Sequence, residues 1–259
     1  MNYLKRAILL MVLAISLLFS SAPTWAQGNE PVHVYLLLDG MPLCRGDVEF
    51  AGVITDFSER IKKQNPKNRV SVVVKNEVIS DDTYGYFFGN YGGFTHRYNI
   101  PYGETVNTLK DSIAKTKEFQ RRDDPSYRKV LLIIDQGKDV AYTVDHTYDP
   151  FPSYSQYESM VSKDYMGTMK IAEPFCKNQE VYAVRFPISL EDYLVAETPS
   201  YIERAVDLQN RTATLMLHRL QNQGYYEMKA ADPTELDRVL RRYEKKILEG
   251  SKKRVPAPY

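Results

Sequence analysis

Residues 32–76 read VHVYLLLDGMPLCRGDVEFAGVITDFSERIKKQNPKNRVSVVVKN, and their order decides the fold. Val32–Leu38 is an apolar run of strand length, closed by the dipeptide Asp39-Gly40. After an irregular loop, Phe50, Ile54, Phe57 and Ile61 recur at the 3.6-residue period, with Glu59, Lys62 and Lys63 on the opposite side. That spacing predicts an amphipathic helix from about Asp47 to Lys63, with Asp47 placed to cap it. Gln64–Arg69, with Pro66, ends it. Val70–Val74 is the unbroken β-branched run expected of a strand covered on both faces. The unit is strand, acidic turn, helix, strand.

The remainder repeats this alternation. Glu104–Gln120 is predicted helical through Val106, Leu109, Ile113 and Phe119, and Lys129–Asp135 is a second fully buried strand. The long segment Gln136–Gly167 carries Pro150 and Pro152, and helix is expected from about Gln156 to Phe175. Glu180–Phe186 is a strand. Pro199–Asn222 is a helix striped by Ile202, Val206, Ala213, Met216 or Leu217, and Leu220, with Gly224 at the C-cap. Tyr225–Met228 is a short strand. The last helix opens with Asp232 as N-cap, Pro233 in the first turn and Glu235 to complete a capping box. The fold class expected is α/β: a three-layer, doubly wound, mostly parallel sheet of Rossmann type with helices on both faces. Loops leaving the carboxyl ends of its strands gather on one rim, where open α/β sheets bind ligands.

The chain has 259 residues, and 34 Lys+Arg stand against 33 Asp+Glu, so no whole-molecule field points to nucleic acid or membrane. Residues 1–26 read as a signal peptide: Lys5 and Arg6, the apolar run Ala7–Phe19, and the small-residue stretch Ser20–Ala26, cut after Ala26 or after Ala22. The alternative is an uncleaved anchor. No later segment is long and apolar enough to span a bilayer. The expected organisation is therefore leader 1–26, domain 27–249 and a basic flexible tail 250–259, exported to the periplasm or secreted. Only Cys44 and Cys176 are available for a disulfide. Cys44 follows the first strand and Cys176 precedes a later parallel strand, so they fall on opposite rims and are not expected to pair.

The run VHVYLLLDG, helix, VSVVV, Thr-containing loop and helix, KVLLIID, VYAVRF and the closing GYYEMKAADPTELDRVL resembles a von Willebrand factor A (vWA) domain over about residues 31–249. The resemblance implies a domain that binds another protein, classically through a divalent cation held by Asp-x-Ser-x-Ser after the first strand, a threonine and a later aspartate. Carried onto this chain, the ligands would be Asp39, Thr105 (or Asn107, which fits the spacing equally) and Asp135. Met41 and Leu43 stand at the two serine positions and offer no hard oxygen to Mg²⁺ or Mn²⁺. Gln136, not aspartate, precedes Gly137. The resemblance thus implies a degenerate metal-ion-dependent adhesion site, no required cofactor and a protein partner in the cell envelope.

A competing reading is a metal-dependent phosphohydrolase using Asp39 with Asp145, His146 and Asp149, and another is a metal-dependent adhesin completed by Asp135 or Asp139. No phosphate-cradling or nucleophile-elbow motif supports an enzyme. His33, His96 and His218 have no partner that spacing can name. The aromatic residues are the other signal. Eight fall in Tyr84–Tyr102, interleaved with Gly85, Gly89, Gly92 and Gly93 in what reads as an edge hairpin over Asp81–Gly103, and six more in Tyr142–Tyr165. Both segments follow strands and lead to the rim that carries Asp39. Tyr84, Tyr86, Tyr91, Phe94, Tyr98, Tyr148, Phe151 and Tyr154 are therefore the expected contact residues, since tyrosine combines large contact area with a polar tip. The alternative is that these rings pack the loops onto the domain.

Overall fold

In a computed structural model of the chain, residues 30–39, 48–74, 77–79, 108–135, 153–187 and 201–253 are described. The strands are β1 (Val32–Asp39), β2 (Arg69–Val74), β3 (Glu77–Ile79), β4 (Arg128–Asp135), β5 (Glu180–Arg185) and β6 (Gly224–Glu227). The helices are α1 (Val48–Gln64), α2 (Thr108–Gln120), α3 (Tyr154–Cys176), α4 (Ile202–Leu220) and α5 (Pro233–Lys253). The six strands form one sheet in the order β3-β2-β1-β4-β5-β6. All pairings are parallel except β2–β3, which closes one edge antiparallel. This is the three-layer α/β architecture the alternation predicts. No described helix is long and apolar enough to cross a membrane.

The period-two alternation of each strand divides two cores. Val34, Leu36, Val72, Leu132 and Val184 face α1 and α5, packing on Phe50, Ile54, Phe57, Leu240 and Tyr243. Tyr35, Leu37, Val73, Leu131 and Ala183 face the other way, onto Leu109, Ile113, Met169, Ala172 and Leu217 of α2, α3 and α4. Both cores are fully removed from water, which is why β1 and β4 read as continuous apolar runs.

Two asparagines close the rim at the amino ends of the strands. Asn68 donates to the Ile61 carbonyl at 2.9 Å and accepts from the Val32 amide at 3.0 Å, tying the end of α1 to the start of β1. Asn222 does the same on the other side, bonding the Gln179 carbonyl at 2.7 Å and the Val181 amide at 3.0 Å. Arg128, buried at the start of β4, donates to the Ile247 carbonyl in the last turns of α5. Between α1 and α5, Arg60 pairs with Glu244 at 2.7 Å and Asp237 at 3.2 Å.

Several boundaries differ from the sequence reading. α3 starts at Tyr154, two residues early, because Ser153 and Gln156 form a capping box. Gly224, expected as a C-cap, is the first residue of β6, and α4 ends at Leu220 with Gln221 extended. Asp232 caps α5 through the Thr234 amide at 2.9 Å, but Glu235 accepts the Tyr226 hydroxyl at 2.6 Å instead of completing a box. α5 continues through Gly250 to Lys253, so the start of the stretch read as tail is helical. The hairpin expected over 81–103 lies outside the described residues, although an edge strand, β3, stands just before it. Cys176 is a buried free thiol ending α3 at the amino rim, pushed up to about 12 by burial. Cys44 lies outside the described residues.

Candidate binding rim

The carboxyl ends of four adjacent strands carry charged residues in one register. Asp39 pairs with Asp135 across β1–β4, Asp135 with Arg185 across β4–β5, and Arg185 with Glu227 across β5–β6. Partners in a parallel ladder sit about 4.8 Å apart, and Asp135, Arg185 and Glu227 lie in register with the strand positions that face α2, α3 and α4. Asp39 and Asp135, two of the three residues expected at a metal site, are thus neighbours. The third, Thr105, lies outside the described residues, as do Met41, Leu43, Asp139, Asp145, His146 and Asp149. Among the described residues no group of three His, Cys, Asp or Glu side chains could hold a metal ion.

Sequence reasoning missed Arg185. Its guanidinium is buried at the end of β5, donating from Nη1 to Glu227 at 2.5 Å and from Nη2 to Asn210 of α4. Glu227 also accepts the Tyr225 hydroxyl at 2.9 Å. Burial pushes the Tyr225 phenol up to about 12, so the hydroxyl stays a donor. Asp135 is itself buried, and its carbonyl accepts the Phe186 amide at 2.9 Å, fixing how the chain leaves β5. The signal was present in EVYAVRF: a charged residue closing an otherwise apolar strand has to be paired.

Beside this row, the amino ends of α3 and α4 meet in an aromatic corner. The Tyr154 ring lies 4.4 Å from the Arg204 guanidinium carbon and 6.0 Å from the Tyr201 ring, and Tyr157 is 6.4 Å from Tyr201. Tyr157, Val161 and Ala205 are buried beneath, with Tyr201 and Leu208 against them. Tyr154 is half-exposed and Arg204 exposed, so the upper part of the corner faces solvent. Of the eight contact residues expected, Tyr154 is on this rim, while Tyr84, Tyr86, Tyr91, Phe94, Tyr98, Tyr148 and Phe151 lie outside the described residues. Tyr201 and Arg204 were not expected.

His33, left without a partner by the sequence, is at the opposite rim. Its Nδ1 is 2.6 Å from Asp123 and its Nε2 2.8 Å from the Ser71 hydroxyl, while Tyr35 donates to the same Asp123 oxygen at 2.6 Å. Burial lowers the His33 pKa, so the neutral ring donates from Nδ1 and accepts from Ser71. The connectivity is that of a Ser-His-Asp triad. Ser71, however, is 2 % exposed and lies within a central strand, so the hydroxyl meets no substrate and the cluster serves to join β1, β2 and the turn before β4.

The chain matches no protein-family model and no curated protein. Among solved structures it is similar to the D319A mutant of the PilB minor pilin from Streptococcus sanguinis, with a TM-score of 0.53 at 10 % identity over 89 % of this chain. The likeness covers 64 % of the pilin chain. The SpRpn10 VWA domain matches with a TM-score of 0.40 at 12 % identity, over 82 % of this chain and 95 % of that one. The human COPII-coat protein Sec24c gives 0.39 at 8 %, over 86 % and 33 %. At these identities the pilin likeness speaks to the fold alone.

Proposed function

We propose that the chain is an exported binding module of vWA type that captures a protein partner of the cell envelope at its carboxyl rim without a metal ion. One observation carries this reading. The Tyr154–Arg204–Tyr201 corner combines a cation over an aromatic face with half-exposed tyrosine, the composition of interface anchors. It stands on the rim at which β4 ends, before the second aromatic-rich stretch of the sequence, whereas the first stretch follows β3, which runs antiparallel and away from this rim. Met41 and Leu43 at the two serine positions support metal independence, because neither offers a hard oxygen to a divalent ion.

The test is a pair of variants, Tyr154→Ala and Arg204→Ala. Each is expected to leave the thermal midpoint within a few degrees, since neither side chain is buried. Each should weaken capture of the crosslinked envelope partner at least tenfold. Undiminished capture with both variants folded would refute the rim. Retention of wild-type protein in the cytoplasm, with the leader intact, would refute export.

A further inference from the structure

We propose that the opposite, amino rim of the sheet is a docking surface for anionic phospholipid headgroups. Residues 62–69 contribute Lys62, Lys63, Lys67 and Arg69 with no acidic residue among them. Across the start of the sheet, the end of α2 and the turn into β4 add Lys117, Arg121, Arg122 and Lys129. Arg69 is 51 % exposed and Arg122 77 %, and Lys63, Lys67, Lys117 and Arg121 are also exposed.

Of the acids nearby, Glu118, Asp123 and Asp124 are bonded within the fold, while Glu30 stands at the entry to β1. Glu118 is held by Lys115 at 3.2 Å and Arg122 at 2.9 Å, and Asp123 is turned inward to His33 and Tyr35. Asp124 accepts the Ser126 amide at 2.8 Å. Lys63, Lys67, Lys117 and Arg121 have no acidic partner among the described residues.

A simpler account is that cations collect where helix dipoles end, and it covers Lys62, Lys63 and Lys117. It also covers Arg121, next to the last residue of α2, and Lys129, whose Nζ donates to the Gln120 carbonyl at 2.9 Å, but not Lys67 and Arg69, which lie past the end of α1 in a turn and a strand. At the other rim the first helical turns hold Glu49, Asp111, Glu203 and Glu235. A formal net charge of +1 therefore conceals a dipole along the strands.

Lipid is favoured over other polyanions by where the chain joins the domain. Glu30 and Pro31 lead into β1 at this rim, and only twelve residues separate Val32 from the apolar run ending at Phe19. At full extension they reach about 40 Å. Retained as the uncleaved anchor that is the alternative to a cleaved leader, the apolar stretch in a bilayer would hold this rim, and not the carboxyl rim, toward the headgroups. Lysine and arginine near an anionic leaflet are attracted within a Debye length of it. The partner-binding rim would then face away from the membrane.

The full chain is incubated with vesicles of phosphatidylcholine, or of phosphatidylcholine mixed with phosphatidylglycerol, and its amines are labelled. On the anionic vesicles Lys63, Lys67 and Lys117 should be protected relative to Lys163 and Lys229, and high salt should abolish the difference. The variant Lys63→Glu/Lys67→Glu should bind anionic vesicles at least tenfold more weakly than the charge-matched Lys163→Glu/Lys229→Glu, with both melting cooperatively. Equal labelling on the two vesicle types, equal binding by the two variants, or tighter binding to a DNA duplex than to anionic vesicles would overturn the proposal. A failure of the partner-capture variants would leave it standing, because those substitutions are on the other rim.

Discussion

His33 is buried with both ring nitrogens bonded, and that sets how the protein responds to acid. Desolvation lowers its pKa below the ordinary 6.5, against the pull of Asp123. Arg69 and Lys129, its register partners on either side, push the same way as burial. The folded chain therefore resists a proton that the unfolded chain accepts below about pH 6.5. Stability is fully present above that value and falls as pH drops through it toward the lower folded value. Asp123 acts further down. Burial pushes its carboxyl up, but hydrogen bonds from Tyr35 and His33 outweigh this and hold it below the ordinary 3.8. Its contribution is lost as pH falls through that depressed value. Thermal midpoints at about pH 7.5 and 5.5 should show a drop that shrinks in His33→Gln. Equal drops in both proteins would sink the assignment. Arg185 gives a second residue-scale prediction. Its partner Glu227 is 43 % exposed and can regain water, so the loss in Arg185→Ala is mainly the cavity and the hydrogen bond given up by Asn210. A loss of about 2–3 kcal/mol in urea unfolding is expected, with Arg185→Met recovering about half.

At the scale of elements, three helical glycines should respond in opposite directions. Nothing lies within 4 Å of a Cβ built at Gly52 in α1 or at Gly167 in α3. Gly167→Ala should therefore stabilise by about 0.5–1 kcal/mol, the intrinsic helix preference of alanine. A Cβ at Gly250 would meet Arg128 Nη1 at 2.9 Å, and that guanidinium is buried and bonded to the Ile247 carbonyl. Gly250→Ala should cancel the helix gain and destabilise by about 1 kcal/mol in the same urea measurement. A gain at Gly250 equal to that at Gly167 would mean the Arg128–α5 contact is loose. Ser153→Ala removes the capping box of α3 and should cost about 1 kcal/mol. That box was legible as Ser-x-x-Gln, yet the pattern Pro-rich loop then aromatics hid it. Gly224 misled in a different way. A glycine after a helix reads as a C-cap, whereas here it lets β6 pass the Tyr243 ring, 3.1 Å from where a Cβ would be.

For the whole molecule, the expectation is a fold that stands without divalent metal. Both cores close around apolar side chains of strands and helices, and no described metal cluster joins them. Thermal midpoints in EDTA and in millimolar Mg²⁺ should agree within a few degrees. A large upward shift with metal would show that the carboxyl rim holds an ion, because a ligand of the native state stabilises by mass action. Cys176 is at the amino rim, and Cys44 follows in sequence the strand β1, which ends at the other rim. A strand of the length of β5 separates the rims by roughly 17–20 Å, far beyond the reach of a disulfide. Peptide mapping without reduction should find no Cys44–Cys176 link.

The sequence by itself determined the α/β class, the alternation of elements and the strands of the parallel sheet. Those depend on periodicity, and VHVYLLLD, RVSVVV and RKVLLIID are apolar at their interior positions, His33, Ser71 and Lys129 excepted, because both faces are covered. It also placed Tyr154 and Asp39 with Asp135 at one rim, since chain direction dictates which ends meet. The partners of buried polar groups were decided only by tertiary structure. Asp123, Ser71 and Tyr35 reach His33 from sequence separations of up to 90 residues, and Arg185 finds Glu227 and Asn210 across 42 and 25. No local pattern encodes such pairs. Each is selected by the cost of leaving a charge or a donor unbonded once the strands have closed over it.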